Sequence, residues 1–293
     1  MGVRGLFSFL KPKSTYISLE ELQKTNPLRI GIDISYYIYR WQGDAKKVLN
    51  LIESLKPHKV ILIFDGKAPD EKQDESNRRR EKREDDMNTA NILRQSIENI
   101  ENLSVSQRTH LENIAEQYEK RGWQNTKEIR HKFKKELYDN HVPILKSKGE
   151  ADSLLVSLAE YGNIDAVISG DMALLVLGVK YQYAPQGDGS FRLFDRDIIL
   201  EELGINDRQF RSFCALCSLD YSKQEQTLDI RNAYHGIRVF KNIHNLKLRH
   251  ADWLKEWPEA NHPFFQANLK PEEWIKEDEL VRFEAWNRKV SIY

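Results

Sequence analysis

Two kinds of hydrophobic pattern alternate along the chain. LRIGI at 28–32, VILIF at 60–64 and DAVIS at 165–169 are near-continuous apolar runs, each closed abruptly by a polar residue. Such runs predict buried parallel strands, covered on both faces. Each run is followed by an aspartate: Asp33 and Asp65 directly, Asp171 after Gly170. Helical periodicity separates them, in SYYIYRWQGDAKKVLNLIESL after the first and EADSLLVSLAEY before the third. A shorter stretch at 141–145 predicts a further strand ahead of the second of these helices. This β-α-β order, with right-handed crossovers, predicts an α/β fold with a mostly parallel, doubly wound sheet flanked by helices. Ligands bind such sheets beyond the carboxyl ends of the strands, the edge at which the three aspartates fall.

Between the second and third runs the pattern changes. From Asp70 to Asn140 the chain is highly charged, nearly free of glycine and without proline, and Ile92, Leu93, Ile97 and Ile100, then Leu111, Ile114 and Tyr118, recur at helical spacing. A long helical insertion that leaves the sheet and returns to it is expected there. YQYAPQGDGSFRLF at 181–194 predicts a hairpin turning at Gly187-Asp188-Gly189. From Asp195 onward the pattern is helical, with Pro258 and Pro263 interrupting a Trp-rich tail. The predicted organisation is a core over residues 1–200, carrying the insertion at about 70–140, and a helical C-terminal region over 201–293.

Composition narrows the class. With 40% hydrophobic residues in 293, the chain can bury a core, which excludes disorder throughout. Its longest apolar stretch, Ala173 to Val179, is far below the roughly 20 residues of a membrane span, so no membrane partner is expected. Two cysteines cannot make a disulfide framework, and a soluble, intracellular protein is expected. The 45 Lys+Arg balance 45 Asp+Glu, and the resulting zero charge by itself signals no polyanionic partner. That zero is a sum, however, of acidic residues at the sheet edge and a basic run in the insertion, NRRREKR at Asn77 to Arg83.

The carboxylates carry the chemistry. Besides Asp33, Asp65 and Asp171, Glu150 and Asp152 open a predicted helix, and Asp220 follows the run FCALCSL. Magnesium-class ions take oxygen ligands, and a two-metal site needs several carboxylates converging within a few ångströms. Such crowding is self-repelling without the cations. Any one of these aspartates reads equally well as a turn or cap residue; six at one edge read as a metal site. Cys214 and Cys217 form a C-x-x-C without a second pair in an apolar run, which points to packing. His235, His244 and His250 have no matching ligand set, and Trp253, Trp257, Trp274 and Trp286 read as packing for the last helices, with a stacking platform as the alternative.

The blocks MGVRGLFSFL, IGIDISYYIYR, VILIFDGKAPDEKQDESNRRREKR, GEADSLL, ISGDMALLVLG and SLDYS, in this order over about residues 1–240, resemble the flap endonuclease and XPG-type family of structure-specific 5′ nucleases. The resemblance implies a PIN-like sheet, a helical arch formed by the insertion, and a C-terminal helix–hairpin–helix. It implies two divalent ions, Mg2+ or Mn2+, for phosphodiester hydrolysis in branched, 5′-flap or 5′-ended DNA during replication or repair. A nuclear location, or another site of DNA replication, follows from it, with the cytoplasm as the alternative. By the same resemblance Asp33, Asp65, Glu150, Asp152, Asp171 and Asp220 are metal ligands. Lys72 and Arg79 face the scissile phosphate. Gly2, Arg78, Arg80, Lys82 and Arg83 join them in contacting nucleic acid, and Tyr39 stacks on a base.

The chain also departs from the family pattern. Ala173 stands where a seventh carboxylate is expected, and Asp152 replaces a glutamate. In QTLDIRNAYHGI, Leu228-Asp229-Ile230 replaces the Gly-x-Gly turn that grips duplex DNA, and no sliding-clamp motif closes the chain. These departures keep two other readings open: a catalytically impaired nucleic-acid-binding or scaffold relative, and an RNA-directed PIN-like nuclease.

Overall fold

The computed structural model describes residues 3–67, 73–100, 102–217, 228–247 and 269–290. The chain divides into two compact units, one of residues 1–34, 50–69 and 141–293, the other of residues 35–49 and 70–140.

In the first unit the apolar runs become β2 (Arg29–Asp33), β3 (Lys59–Phe64) and β5 (Ala166–Ile168). With β4 (Ile144–Lys146) and β6 (Tyr181–Pro185) they form a parallel sheet. β7 (Phe191–Asp195) returns antiparallel through the expected hairpin, and β1 (Thr15–Ile17) pairs with it, giving the order β1-β7-β6-β5-β2-β3-β4. The expected mostly parallel sheet flanked by helices is thus what the chain forms. β1 has no counterpart in the sequence reading, because three partly exposed residues at a sheet edge carry no periodicity.

Helix α8 (Ala151–Glu160) covers one face. It lies so close that a Cβ on Gly31 would sit 2.6 Å from Leu155 Cδ2 and 2.8 Å from Ile164 Cδ1. Leu154, Leu155, Val156 and Leu158 are buried with Ile61, Ile63, Leu145 and Val167. Onto this cluster folds the segment holding a short helix at Pro271–Trp274 and a longer one at Leu280–Val290. Ile275 bridges to Ser147, and Ile275, Phe283 and Trp286 are buried in the same cluster. Each such side chain contributes about 1.5–3 kcal/mol. Trp274 and Trp286 therefore pack, as read from the sequence, while Trp253, Trp257, Pro258 and Pro263 lie outside the described residues.

A second cluster joins α1 (Leu6–Leu10), α9 (Ala173–Leu177), α10 (Arg196–Leu203), α11 (Asp207–Cys217), α12 (Ile230–Phe240) and α13 (Ile243–Lys247). Cys214 and Cys217 are buried in it, and burial pushes the Cys217 thiol up to about 12 and raises that of Cys214 as well. They pack rather than react. Buried Arg196 donates to the Leu175 carbonyl at 2.8 Å and pairs with Asp207, and burial lowers its pKa to about 10. His235 and His244 are exposed; His250 falls outside the described residues.

The helical periodicity expected over SYYIYRWQGDAKKVLNLIESL forms α3 (Ile34–Arg40) and α4 (Ala45–Ser54), separated where Gln42 and Gly43 take left-handed φ of 51° and 77°. A Cβ on Gly43 would lie 2.6 Å from Ile129 Cγ2, so the break needs glycine on both counts. The insertion folds as α5 (Gln73–Asn99), α6 (Val105–Gly122) and α7 (Lys127–Asp139). α5 and α6 pack antiparallel: Gly122 meets the backbone of Arg83 and Met87, Ala90 and Ala115 are buried, and Arg94 makes a two-pronged pair with Glu119.

Candidate metal and nucleic-acid site

β5, β2, β3 and β4 are neighbours and run parallel, so their carboxyl ends share one edge of the sheet. Asp33 ends β2, Asp65 follows β3, Glu150 and Asp152 follow β4, and Asp171 follows β5. Adjacent strands are about 4.8 Å apart, so the four ends span roughly 15 Å. The chain runs outward from β2 to β3 and β4, then returns to β5 on the other side of β2. That reversal makes the gap between β2 and β5 the switch point where doubly wound sheets bind ligands.

One half of the site lies at this switch point. The Ser169 hydroxyl donates to Asp33 Oδ2 at 3.4 Å and accepts from the Asp171 amide at 3.1 Å, so a single oxygen joins the two carboxylate-bearing residues. Asp171 Oδ1 accepts from the Ala173 amide at 2.9 Å. Asp171 is buried and Asp33 half-buried.

The other half is built on the start of α8. Exposed Asp65 accepts from the Ala151 amide at 2.9 Å, next in sequence to Glu150, the N-cap residue, and Asp152 in the first turn. A helix N-terminus favours acidic side chains, which makes it a suitable support for three of them. Backbone bonds also join the segments that follow the two strands: the Ser147 amide donates to Phe64 O at 3.0 Å, the Gly66 amide to Gly149 O at 2.6 Å and the Lys67 amide to Lys148 O at 3.0 Å. A Cβ on Gly66 would overlap the Ser147 and Lys148 carbonyl oxygens. Lys148 in turn donates to Trp274 O at 2.7 Å, which ties the C-terminal segment to the loop bearing Glu150.

The donors are all oxygen, and their chemistry fits a hard cation such as Mg2+ or Mn2+ rather than zinc. Among the described residues no three His, Cys, Asp or Glu side chains stand close enough to hold one ion together. Asp220 lies outside the described residues, as do Gly2 and Lys72. Ala173 is not simply a truncated ligand: its methyl group belongs to the apolar cluster of Val3, Leu6, Met172 and Leu216.

In the second unit Tyr39 is 40% exposed. The Arg83 guanidinium carbon lies 4.5 Å from the centre of its ring, and Trp123 meets it edge-on at 5.7 Å. Arg78, Arg79, Arg80, Lys82 and Arg83 all lie on α5, with Arg79 and Arg83 half-buried and the others exposed. In the degenerate turn, the Asp229 carboxylate accepts from the Arg231 amide at 2.9 Å and from the Asn232 amide at 3.4 Å, so it occupies the N-terminus of α12. The sequence reading missed Ser169, Gln182 and Trp123. A serine at a strand end and one amide inside an apolar strand were the available signals for the first two.

Comparison with known proteins gives two family matches, the XPG N-terminal domain over residues 1–86 and the XPG I-region over residues 141–220. Together they take in more than half of the chain. The chain is 26% identical to flap endonuclease 1 of Chlamydomonas reinhardtii, over 97% of its own length and 78% of that protein. It is 27% identical to flap endonuclease 1-A of Sorghum bicolor, over 97% and 81%. Its fold is similar to the catalytic core of Rad2, with a TM-score of 0.62 at 17% identity over 98% of this chain and 85% of that one. Among the described residues no helix is long and apolar enough to cross a membrane.

Proposed function

The chain belongs to the XPG and flap-endonuclease family, and from that premise we propose that it is a metal-dependent, structure-specific nuclease acting on branched or 5′-flap DNA. The observation that carries this reading is the delivery of Asp33, Asp65, Glu150, Asp152 and Asp171 to one sheet edge by four adjacent parallel strands, around the β2/β5 switch point.

Asp33, Asp65, Glu150, Asp152, Asp171 and Asp220 would hold two divalent ions. When bound, such ions lower the pKa of water and offset charge on a phosphate under attack. The chain's own residues do the rest. Ser169 and the Ala173 amide hold Asp171, and the Ala151 amide holds Asp65, each at a fixed angle to the edge. Lys72 and Arg79 meet the negative charge of the scissile phosphate. The basic run of α5, Arg78, Arg80, Lys82 and Arg83, takes neighbouring phosphates. Tyr39 carries the Arg83 cation over one face of its ring and would offer the other face to a base. Asp229, seated on the amides that begin α12, weakens the grip of the C-terminal region on duplex DNA. Substrate choice then rests more on the insertion.

The full chain should cleave labelled 5′-flap DNA with Mg2+ or Mn2+, faster than single-stranded DNA or RNA, and Asp33→Ala should not. Binding of nucleic acid without cleavage under either ion would sink the nuclease reading in favour of a scaffold. Faster cleavage of RNA would move the assignment to an RNA-directed enzyme.

A further inference from the structure

We propose that Gln182, on β6, is a positioning residue that fixes the loop presenting Asp171. Its consequence for metal binding rests on the nuclease reading above; its grip on the loop does not.

Gln182 is fully buried, with 0% of its surface exposed, in a strand whose central positions are otherwise Tyr183 and Ala184. Burying an amide is costly unless it is hydrogen-bonded, so a glutamine here must be explained by its partners. Those partners are not in the strand ladder. Its Nε2 donates to the Asp171 carbonyl at 2.8 Å and to the Ser169 carbonyl at 3.2 Å, and lies 3.9 Å from Met172 Sδ. Both oxygen partners are pure acceptors, so only the NH2 end of the amide can face them. The Oε1 end has no partner among the described residues.

The loop 169–173 is thereby held at three polar groups of Asp171. Its carbonyl is taken by Gln182, its amide by the Ser169 hydroxyl and one carboxylate oxygen by the Ala173 amide. Ser169 is itself pinned by its own amide to Tyr183 O at 3.2 Å and by its carbonyl to Gln182. The same Ser169 hydroxyl reaches Asp33 Oδ2. A push on Gln182 is therefore transmitted to both carboxylates of the switch point. Partners behind a metal ligand commonly change ion affinity by about 10–100-fold when removed.

The test uses the full chain and three variants. Gln182→Met keeps the length and removes the donor, Gln182→Glu keeps the shape but turns an acceptor toward two carbonyls, and Ser169→Ala removes the bridging hydroxyl. Amide hydrogen exchange without any divalent ion should run roughly tenfold faster at residues 169–173 in both Gln182 variants, with Gln182→Glu the more affected, while the thermal midpoint identifies any variant that has lost its fold. Mn2+ titration followed by electron paramagnetic resonance should show affinity lowered about tenfold in Gln182→Met and Ser169→Ala. The Mn2+ midpoint for cleavage should move with it while the KM for DNA does not. Unchanged exchange at 169–173 in folded Gln182→Met would overturn the proposal. Faster exchange with unchanged Mn2+ affinity would uphold the grip on the loop and overturn its consequence for metal binding. A wild-type chain that neither binds Mn2+ nor cleaves would refute the nuclease reading and the metal consequence together, and the ion-free exchange would still decide the grip on the loop.

Discussion

The two edges of the parallel sheet use the same residue type for opposite ends. At the amino edge Asp165, just before β5, accepts from the Arg29 backbone amide at 2.8 Å and from its guanidinium at 3.0 and 2.5 Å, across to the start of β2. Arg29 holds the Asp165 carboxyl below the usual carboxylate range, and the carboxylate raises Arg29 in return. Next to them buried His58 accepts from the Leu28 amide through Nδ1 at 3.0 Å, which leaves Nε2 to donate to Leu22 O at 2.9 Å. Charge and hydrogen bonding are settled within the chain. At the carboxyl edge the donors reaching Asp33, Asp65 and Asp171 include a hydroxyl and two backbone amides, which orient carboxylates without cancelling their charge. An edge that closes on itself stabilises a fold; an edge that orients negative charge is suited to cations from outside.

Three experiments would break or sharpen that contrast. The largest effect is expected from Asp65→Asn: cleavage should fall on the order of a hundredfold, while the Asn oxygen still accepts from the Ala151 amide and the thermal midpoint barely moves. A parallel loss of stability would make the two edges alike. Asp165→Asn should leave cleavage unchanged and cost about 1 kcal/mol or less at neutral pH, since a third of the side chain is exposed and solvent screens the pair. Because the folded carboxyl is depressed, its contribution is present above the ordinary value of about 3.9 and lost as pH falls through the folded value. Urea unfolding of wild type and variant should therefore converge in acid; a gap that widens there would reverse the assignment. The smallest effect concerns the interior, where Cys214 and Cys217 should not label with a thiol reagent at pH 8 unless the protein unfolds. Fast labelling of native protein would contradict their burial.

The strands that end in Asp33, Asp65 and Asp171 were legible because buried parallel strands need continuous apolar runs, and the polar residue closing each run marks the edge. The helices of the insertion were legible from their 3.6-residue period. The break at Gln42 and Gly43 was not, since it depends on Ile129, far along the chain. Nor was the setting of Ala173, where an absent carboxylate is plain in the sequence but the surrounding apolar cluster is assembled from six helices. Gln182 shows the same limit. One amide in YQYA looks like a fault in a strand until the carbonyls of Ser169 and Asp171 are placed beside it.

The bridge between Ser147 and Ile275 bears on the order in which the molecule can be made. The apolar cover of α8 and the carbonyl that holds Lys148 both come from residues 274–286, more than a hundred positions after the helix they protect. Domains form as the chain emerges from the ribosome, at about 5–20 residues per second. For some 6–30 seconds of translation the loop bearing Glu150 is out of the ribosome without its lining, and the apolar face of α8 is open to chaperones and to other nascent chains.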